Sequence, residues 1–405
     1  MSATPPDLGP AATEAAASAR EWIAAHGALG REFVPPLGIN PQGEWVDLLR
    51  EHRWLCLNWP ERYGGRGLSG LEAAAVDAEF TGAGLFRPAL GMGESLVGPA
   101  IIVHGTDEQK AYFLPRILDG TDRYCQGFSE PDAGSDLASL ATRGVIDGDE
   151  LLITGQKVWT SWYWDATMLF ALVRTDPAAD RHAGISYVLV PLDRDSAFKP
   201  CNGIDLRPLR QITGEAHFAE TFLEGARAPL FNVIGGLGNG WKVSKTTLGN
   251  ERGGSAATQH VRFEIALAKL IALARDRGLT EDPVMRQRLA WAHTQVQLIR
   301  YGGLRTLAAL IEGGEPGPAS SVNKMLWSEY HRAFGELAMD VLGADALVSS
   351  PEPSKEASAG GPYRPSRWQS EFLGSRSSTI WGGTAEIQRN IVAERVLGLP
   401  REPSI

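Results

Sequence analysis

Strand-like sequence in this 405-residue chain is confined to one block, from Tyr124 to about Leu223, with helical periodicity on both sides. Strands that alternate with helices build parallel sheets. Strands gathered in one block pair with each other and leave the helices to pack apart from them. The pattern predicts an α+β protein with helices, then an antiparallel sheet, then helices, divided as 1–122, 123–234 and 235–405.

Inside the block, Thr142 to Ile146 and Leu151 to Thr154 read as two strands joined by Asp147-Gly148-Asp149, a sequence suited to a tight hairpin. Thr167 to Arg174 and Gly184 to Pro191 are further β-rich runs between turn clusters. Ahead of them, Ser129 to Asp136 (SEPDAGSD) cannot form regular structure across Pro131 and Gly134. Its small side chains let backbone amides approach a bound polar group. After the hairpin, Lys157-Val158-Trp159-Thr160-Ser161 sets a large aromatic face two residues before a hydroxyl. Taken alone, Trp159 reads more readily as a core tryptophan.

The flanks are helical. Ala11 to Ala25 is Ala-rich, with Gly27 placed to end the helix. Trp45, Leu48, Leu49 and His52 form an apolar stripe, and a further helix is expected over Leu71 to Phe80. Thr106 and Gln109 make a capping-box pattern ahead of Phe113, Leu114, Ile117 and Leu118. Beyond Gly235 to Gly240, read as a hinge, helices are expected over Trp241 to Arg277, Pro283 to Glu312 and Ser320 to Leu342. Their length suits a bundle. Ser349 to Arg367 reads as a loop, and a last helix is expected from Thr384 to Leu397.

A net charge of −9 disfavours a nucleic-acid surface, which needs dense Lys and Arg. The three cysteines are widely spaced, with no zinc or disulfide pattern, and the eight histidines form no HExxH, so no metal site is expected. No run approaches the roughly 18 apolar residues of a spanning helix, and no leader pattern opens the chain, so a cytoplasmic protein without a membrane span is expected. GxSxG and GxxxxGK[ST] are both missing, which removes the hydrolase-elbow and P-loop readings.

Five segments occur in order along the chain: FSEPDAGSDLA, GQKVWTS, GNGWKV, GNERGG and IWGGTAEIQRNIVAERVLGLP. Together they resemble the acyl-CoA dehydrogenase family of flavoproteins. The resemblance implies an N-terminal helical domain, a middle β domain and a C-terminal four-helix bundle that carries oligomer contacts in a homotetramer or heterotetramer. It also implies FAD as cofactor, an acyl-CoA substrate and an electron-transferring flavoprotein as acceptor.

By that resemblance, Gln126, Phe128, Ser129, Trp159, Ser161, Thr384 and Glu386 contact the cofactor, while Ser135 and Arg252 face the substrate. The family's reaction removes the α-proton of a thioester and requires a carboxylate base in a dry pocket. Many members carry that base just before the Gly-Thr of the terminal motif, where this chain has Gly382. A subgroup that includes isovaleryl-CoA, long-chain and some bacterial steroid-degrading members carries it as the Glu of a Glu-Arg pair. Glu251-Arg252 matches that pair, making Glu251 the expected base. Two segments that hold the neighbouring subunit's cofactor in other members are replaced here by Arg275-Asp276-Arg277-Gly278 and Asp340-Val341-Leu342-Gly343-Ala344. A non-catalytic partner subunit and an oxidase on the same fold remain alternatives. The small Gly382 and Gly383 suggest room for a branched or ring-bearing acyl group.

Overall fold

The computed structural model describes residues 9–33, 42–193, 201–253, 259–311, 317, 320–348 and 365–401, without the side chains of residues 250–253, 307, 310 and 311. The chain divides into two units, Met1–Pro208 with Phe218–Asn250, and Leu209–His217 with Glu251–Ile405.

The first unit begins with α1 (Gly9–Glu32), α2 (Glu44–Glu51), α3 (Gly70–Gly82), α4 (Gly98–His104) and α5 (Asp107–Leu118). Helix α1 does not end at Gly27. It continues because the glycines on that face admit bulky partners, and a Cβ at Gly30 would stand 2.7 Å from the Trp45 ring. Burying Trp45, which is 2% exposed, outweighs the helix penalty of about 1 kcal/mol for a glycine. Trp22, Trp45, Trp54 and Phe80 make the aromatic centre of this packing, with Trp22 and Trp45 ring centroids 5.5 Å apart.

Among the described residues eight strands follow: β1 (Tyr124–Gly127), β2 (Arg143–Asp147), β3 (Glu150–Ser161), β4 (Met168–Arg174), β5 (Ile185–Pro191), β6 (Ile204–Leu209), β7 (Phe218–Pro229) and β8 (Val233–Ile234). Their order is β6-β7-β3-β2-β4-β5-β8, with β1 on β4. The hairpin of β2 and β3 closes with Asp147 opposite Glu150, as its turn sequence predicts. The β3–β7, β4–β5 and β5–β8 pairs are also antiparallel, whereas β1 and β2 each meet β4 in parallel, so the sheet is mixed rather than purely antiparallel.

Strands β4 and β5 are buried on both faces, which is why they read as unbroken apolar runs. Phe170, Leu172, Tyr187 and Leu189 join the core of the N-terminal helices. On the other face, Leu169, Ala171, Val188 and Val190 share a second core with Leu151 and Ile153 of β3 and Ala226 of β7. Helix α6 (Gly240–Gly253) starts against this layer. A Cβ at Gly240 would stand 2.5 Å from the Tyr187 backbone nitrogen, so this glycine serves close packing rather than a hinge.

In the second unit, α7 (Gln259–Asp276), α8 (Pro283–Ile311) and α9 (Ser320–Leu342) pack around Phe263, Leu270, Val296, Phe334 and Leu337, and α10 (Arg367–Ser375) lies along α9. Of the helix expected over Trp241 to Arg277, α6 and α7 are described on either side of residues 254–258, which lie outside the described residues. Most of the loop expected over Ser349 to Arg367 also lies outside them, and Arg367 opens α10. Helix α11 (Ala385–Ile391) opens the terminal helical stretch. Among the described residues no helix is long and apolar enough to cross a membrane.

Candidate functional site

A β-bulge governs the central part of the site. Strand β3 alternates inward from Leu151 through Ile153 to Lys157, and continued alternation would bury Trp159. Pairing with β7 runs from Lys157 opposite Thr221 to Thr160 opposite Ala219, so β3 holds one residue more than its partner over this interval. The extra residue reverses the phase. Thr160 turns inward, fully buried, and its hydroxyl lies 2.7 Å from that of Thr221. Trp159 turns outward, 53% exposed, with a left-handed φ of 62° and its ring edge-on to Phe218 at 5.7 Å. The exposure excludes the core reading of this tryptophan. The Ser161 hydroxyl lies at the end of the same strand, 3.4 Å from the Trp159 carbonyl, to which it donates.

The Ser129 loop is joined to this bulge. Val158 donates its amide to the Ser129 carbonyl at 2.9 Å, and Glu130 and Ala133 exchange backbone hydrogen bonds at 3.0 and 3.1 Å. Gln126 pairs with Phe170 across β1 and β4 and delivers the chain into the loop. The Phe128 ring packs in the core against Phe170 at 5.4 Å, and the Phe128 carbonyl accepts from Lys157 at 3.2 Å. Any polar contact from Phe128 to a bound group therefore falls to its backbone amide. Ser135 is exposed on the loop. Next to it, Asp136 accepts hydrogen bonds from Ser139 and Arg181, which fix the far end of the loop.

Under the loop lies an ion pair that the sequence reading passed over. Lys157, 0% exposed, donates to the Glu130 carboxylate at 2.8 Å and to the Leu172 carbonyl at 2.7 Å. Glu130 also accepts from the amides of Ala141 at 2.7 Å and Thr142 at 2.9 Å. Burial pushes the Glu130 carboxyl up, but the Lys157 ammonium and these donors outweigh it and hold it below the usual carboxylate range. Burial pulls the Lys157 ammonium down to about 8, against the opposing pull of Glu130. The alternation of β3 already places Lys157 in phase with Leu151 and Ile153, and that phase is the signal that could have revealed it.

The remaining candidates belong to the second unit. The backbones of Glu251 and Arg252 are helical in the last turn of α6, while their side chains lie outside the described residues. Thr384 caps α11 by accepting from the Ile387 amide at 3.2 Å. Glu386 is exposed in the first turn, with its carboxyl held below the usual range by a backbone amide. The two replaced segments are tied to each other: Arg277 donates to the Leu342 carbonyl at 2.7 Å and to Asp345 at 2.5 Å.

The first-unit residues fit the flavin expected from the resemblance. A planar aromatic face is held out of the sheet at a cost in backbone conformation, beside a hydroxyl at Ser161 and a loop of small residues. Such a surface accepts a flat, polar-edged ring system.

Three family models match the chain in order: acyl-CoA dehydrogenase N-terminal domain over residues 11–121, middle domain over 125–224 and C-terminal domain over 238–397. Acyl-CoA dehydrogenase IpdE1 of Mycobacterium tuberculosis (strain ATCC 25618 / H37Rv) is 42% identical over 397 residues, covering 95% of this chain and 97% of the relative. Acyl-CoA dehydrogenase FadE34 of the same strain is 39% identical over 92% of this chain and 50% of its own length. Among solved structures, the Tcur3481-Tcur3483 steroid ACAD superposes with a TM-score of 0.76 at 32% identity, covering 98% of this chain and all (100%) of the other. The ChsE4-ChsE5 complex from Mycobacterium tuberculosis gives 0.75 at 28% identity, covering 99% and 100%.

Proposed function

Because this chain belongs to the acyl-CoA dehydrogenase family, a family of FAD-dependent oxidoreductases, we propose that it desaturates a ring-bearing acyl-CoA thioester between Cα and Cβ, with Glu251 as base. The observation that carries the reading is the bulge in β3, which turns Trp159 outward beside the Ser129 loop and Ser161.

In this reading Glu251 takes the α-proton and Arg252 faces the ligand. Trp159 walls the cofactor ring from water, and Ser129 and Ser161 donate hydrogen bonds to its polar edge, with Gln126 and the Phe128 backbone alongside. Ser135 lies toward the thioester, and Thr384 and Glu386 serve the cofactor from the terminal motif. When bound, FAD supplies the acceptor for the hydride that leaves the β-carbon. The product is a trans-2-enoyl-CoA, and electrons leave to an electron-transferring flavoprotein. The division at residues 122 and 234, a tetrameric assembly and a cytoplasmic location belong to the same reading.

The ring-bearing substrate draws support from Gly382 and Gly383, which carry no side-chain bulk, and from the likeness to a steroid ACAD. The test uses purified protein with bound flavin and a panel of straight, branched and steroid-type CoA esters under anaerobic conditions. Bleaching of the flavin absorbance by ring-bearing esters supports the proposal, and equal preference for short straight chains removes the substrate class. Undiminished bleaching in Glu251→Gln removes the base. A protein that neither carries nor takes up flavin removes the mechanism.

A second reading is a partner subunit in a heteromeric dehydrogenase. It is favoured by Gly382 at the usual base position and by the mutual bonding of Arg277, Leu342 and Asp345, where other members hold a neighbour's cofactor. Inactivity alone, with recovery on co-expression with a sister chain, selects this reading.

A further inference from the structure

We propose that the buried Lys157–Glu130 pair is the positioning element that sets the cofactor-facing backbone, tying the Ser129 loop to the start of the Trp159 bulge. The proposal rests on the flavin reading of this site.

The geometry is a complete cross-tie. The three N–H donors of the Lys157 ammonium reach two other chain segments: the start of the loop, through the Phe128 carbonyl at 3.2 Å and the Glu130 carboxylate at 2.8 Å, and β4, through the Leu172 carbonyl at 2.7 Å. The carboxylate in turn holds the amides of Ala141 and Thr142, just before β2, at 2.7 and 2.9 Å. Lys157 is the last paired residue of β3 before the bulge, and its neighbour Val158 bonds the Ser129 carbonyl at 2.9 Å. One ion pair therefore ties together the start of the loop, the entry to β2 and the residue from which Trp159 is turned out.

A side chain buried this deeply is an expensive way to hold a loop unless the loop must be held in one place. Neither residue faces the solvent-exposed side where Trp159 stands. Their action on the reaction is through Ser129 and Trp159, which makes them positioning residues and not catalytic ones.

The test compares wild type, Lys157→Met and Glu130→Gln as purified flavin-containing enzyme, using an ester that the wild type turns over. Lys157→Met is expected to lower kcat and weaken flavin retention by at least about tenfold each, as misplacement of reacting groups by a fraction of an ångström does. The visible flavin bands should shift, while KM for the ester stays within about threefold and the far-ultraviolet circular dichroism is unchanged. Should Lys157→Met fail to fold, Glu130→Gln carries the test, with the same band shift and a smaller loss of kcat expected. Wild-type kcat, flavin retention and bands in whichever variant folds overturn the proposal. A wild type that carries no flavin instead overturns the proposed function on which it rests.

Discussion

The Thr160 hydroxyl lies 2.7 Å from the Thr221 hydroxyl, both fully buried, across the bulge in β3: Thr221 pairs with Lys157 before it and Thr160 with Ala219 after it. The bond closes the phase reversal: Thr160 can face inward only because the extra residue precedes it, and its polar atom then needs a partner. Thr160→Val keeps the shape and orphans Thr221, so a loss of about 1–3 kcal/mol is expected in denaturant unfolding. The double variant Thr160→Val/Thr221→Val removes both polar atoms and should recover most of that loss. A double variant as unstable as the single one would show that the hydroxyl bond does not hold the phase.

Gln109 makes two bonds beyond its capping box. Its side-chain oxygen accepts from the Thr106 amide at 2.9 Å, while its amide nitrogen donates to the carbonyls of Phe231 at 2.6 Å and Val233 at 3.0 Å. Gln109→Glu preserves the box but turns a carboxylate toward two carbonyls. A cost of about 2–3 kcal/mol is expected, against about 1 kcal/mol for Thr106→Ala, which removes the cap alone. Equal costs in urea unfolding would reduce Gln109 to its capping role.

The contrast between these residues shows where the sequence is informative. The order of helices, strands and helices is legible because the period of apolar residues changes from one region to the next. The capping half of Gln109 is legible because it is local; its bonds to Phe231 and Val233 cross more than a hundred residues. Likewise, alternation in β3 identifies Lys157 as inward-facing but would misplace Trp159, because a bulge is a mismatch between two strands and appears only when β3 is laid against β7. The continuation of α1 through Gly27 is hidden for a related reason, since the aromatic packing that outweighs the glycine comes from other elements. The five segments that resemble the family single out the Ser129 loop as the one proposed to face the flavin. They leave the ion pair beneath it unremarked because its two members sit in different segments.

Glu371 makes a distinct prediction about pH. Burial pushes its carboxyl up, but the bond from His331 at 2.9 Å and the Arg262 guanidinium at 3.3 Å prevail and hold it below the usual range. A carboxylate depressed on folding contributes stability that is present above its unfolded pKa and lost as pH falls through the folded one. The second unit should therefore lose stability below about pH 4.3, where an unfolded glutamate takes up its proton. In Glu371→Gln the melting temperature should be lower at neutral pH and fall less steeply between about pH 5 and 3. Parallel curves for the two proteins would show that this carboxylate is not among the groups driving acid unfolding.

Trp159 separates a residue kept for a ligand from one kept for stability. Its left-handed φ of 62° costs about 1–2 kcal/mol for a side chain of this kind, a conformation that asparagine tolerates. Its edge-on contact with Phe218 returns about 0.5–1.5 kcal/mol. Trp159→Asn removes both, so the two terms nearly cancel, and unfolding free energy should change by less than about 1 kcal/mol, whereas emptying an aromatic site in a core costs about 3–5. Flavin retention should nevertheless fall sharply, because the face that the bulge presents is gone. Denaturant unfolding of the flavin-free protein and flavin absorbance after gel filtration measure the two effects separately. A large loss of stability with flavin retained would make Trp159 a packing residue and reassign the bulge to the fold.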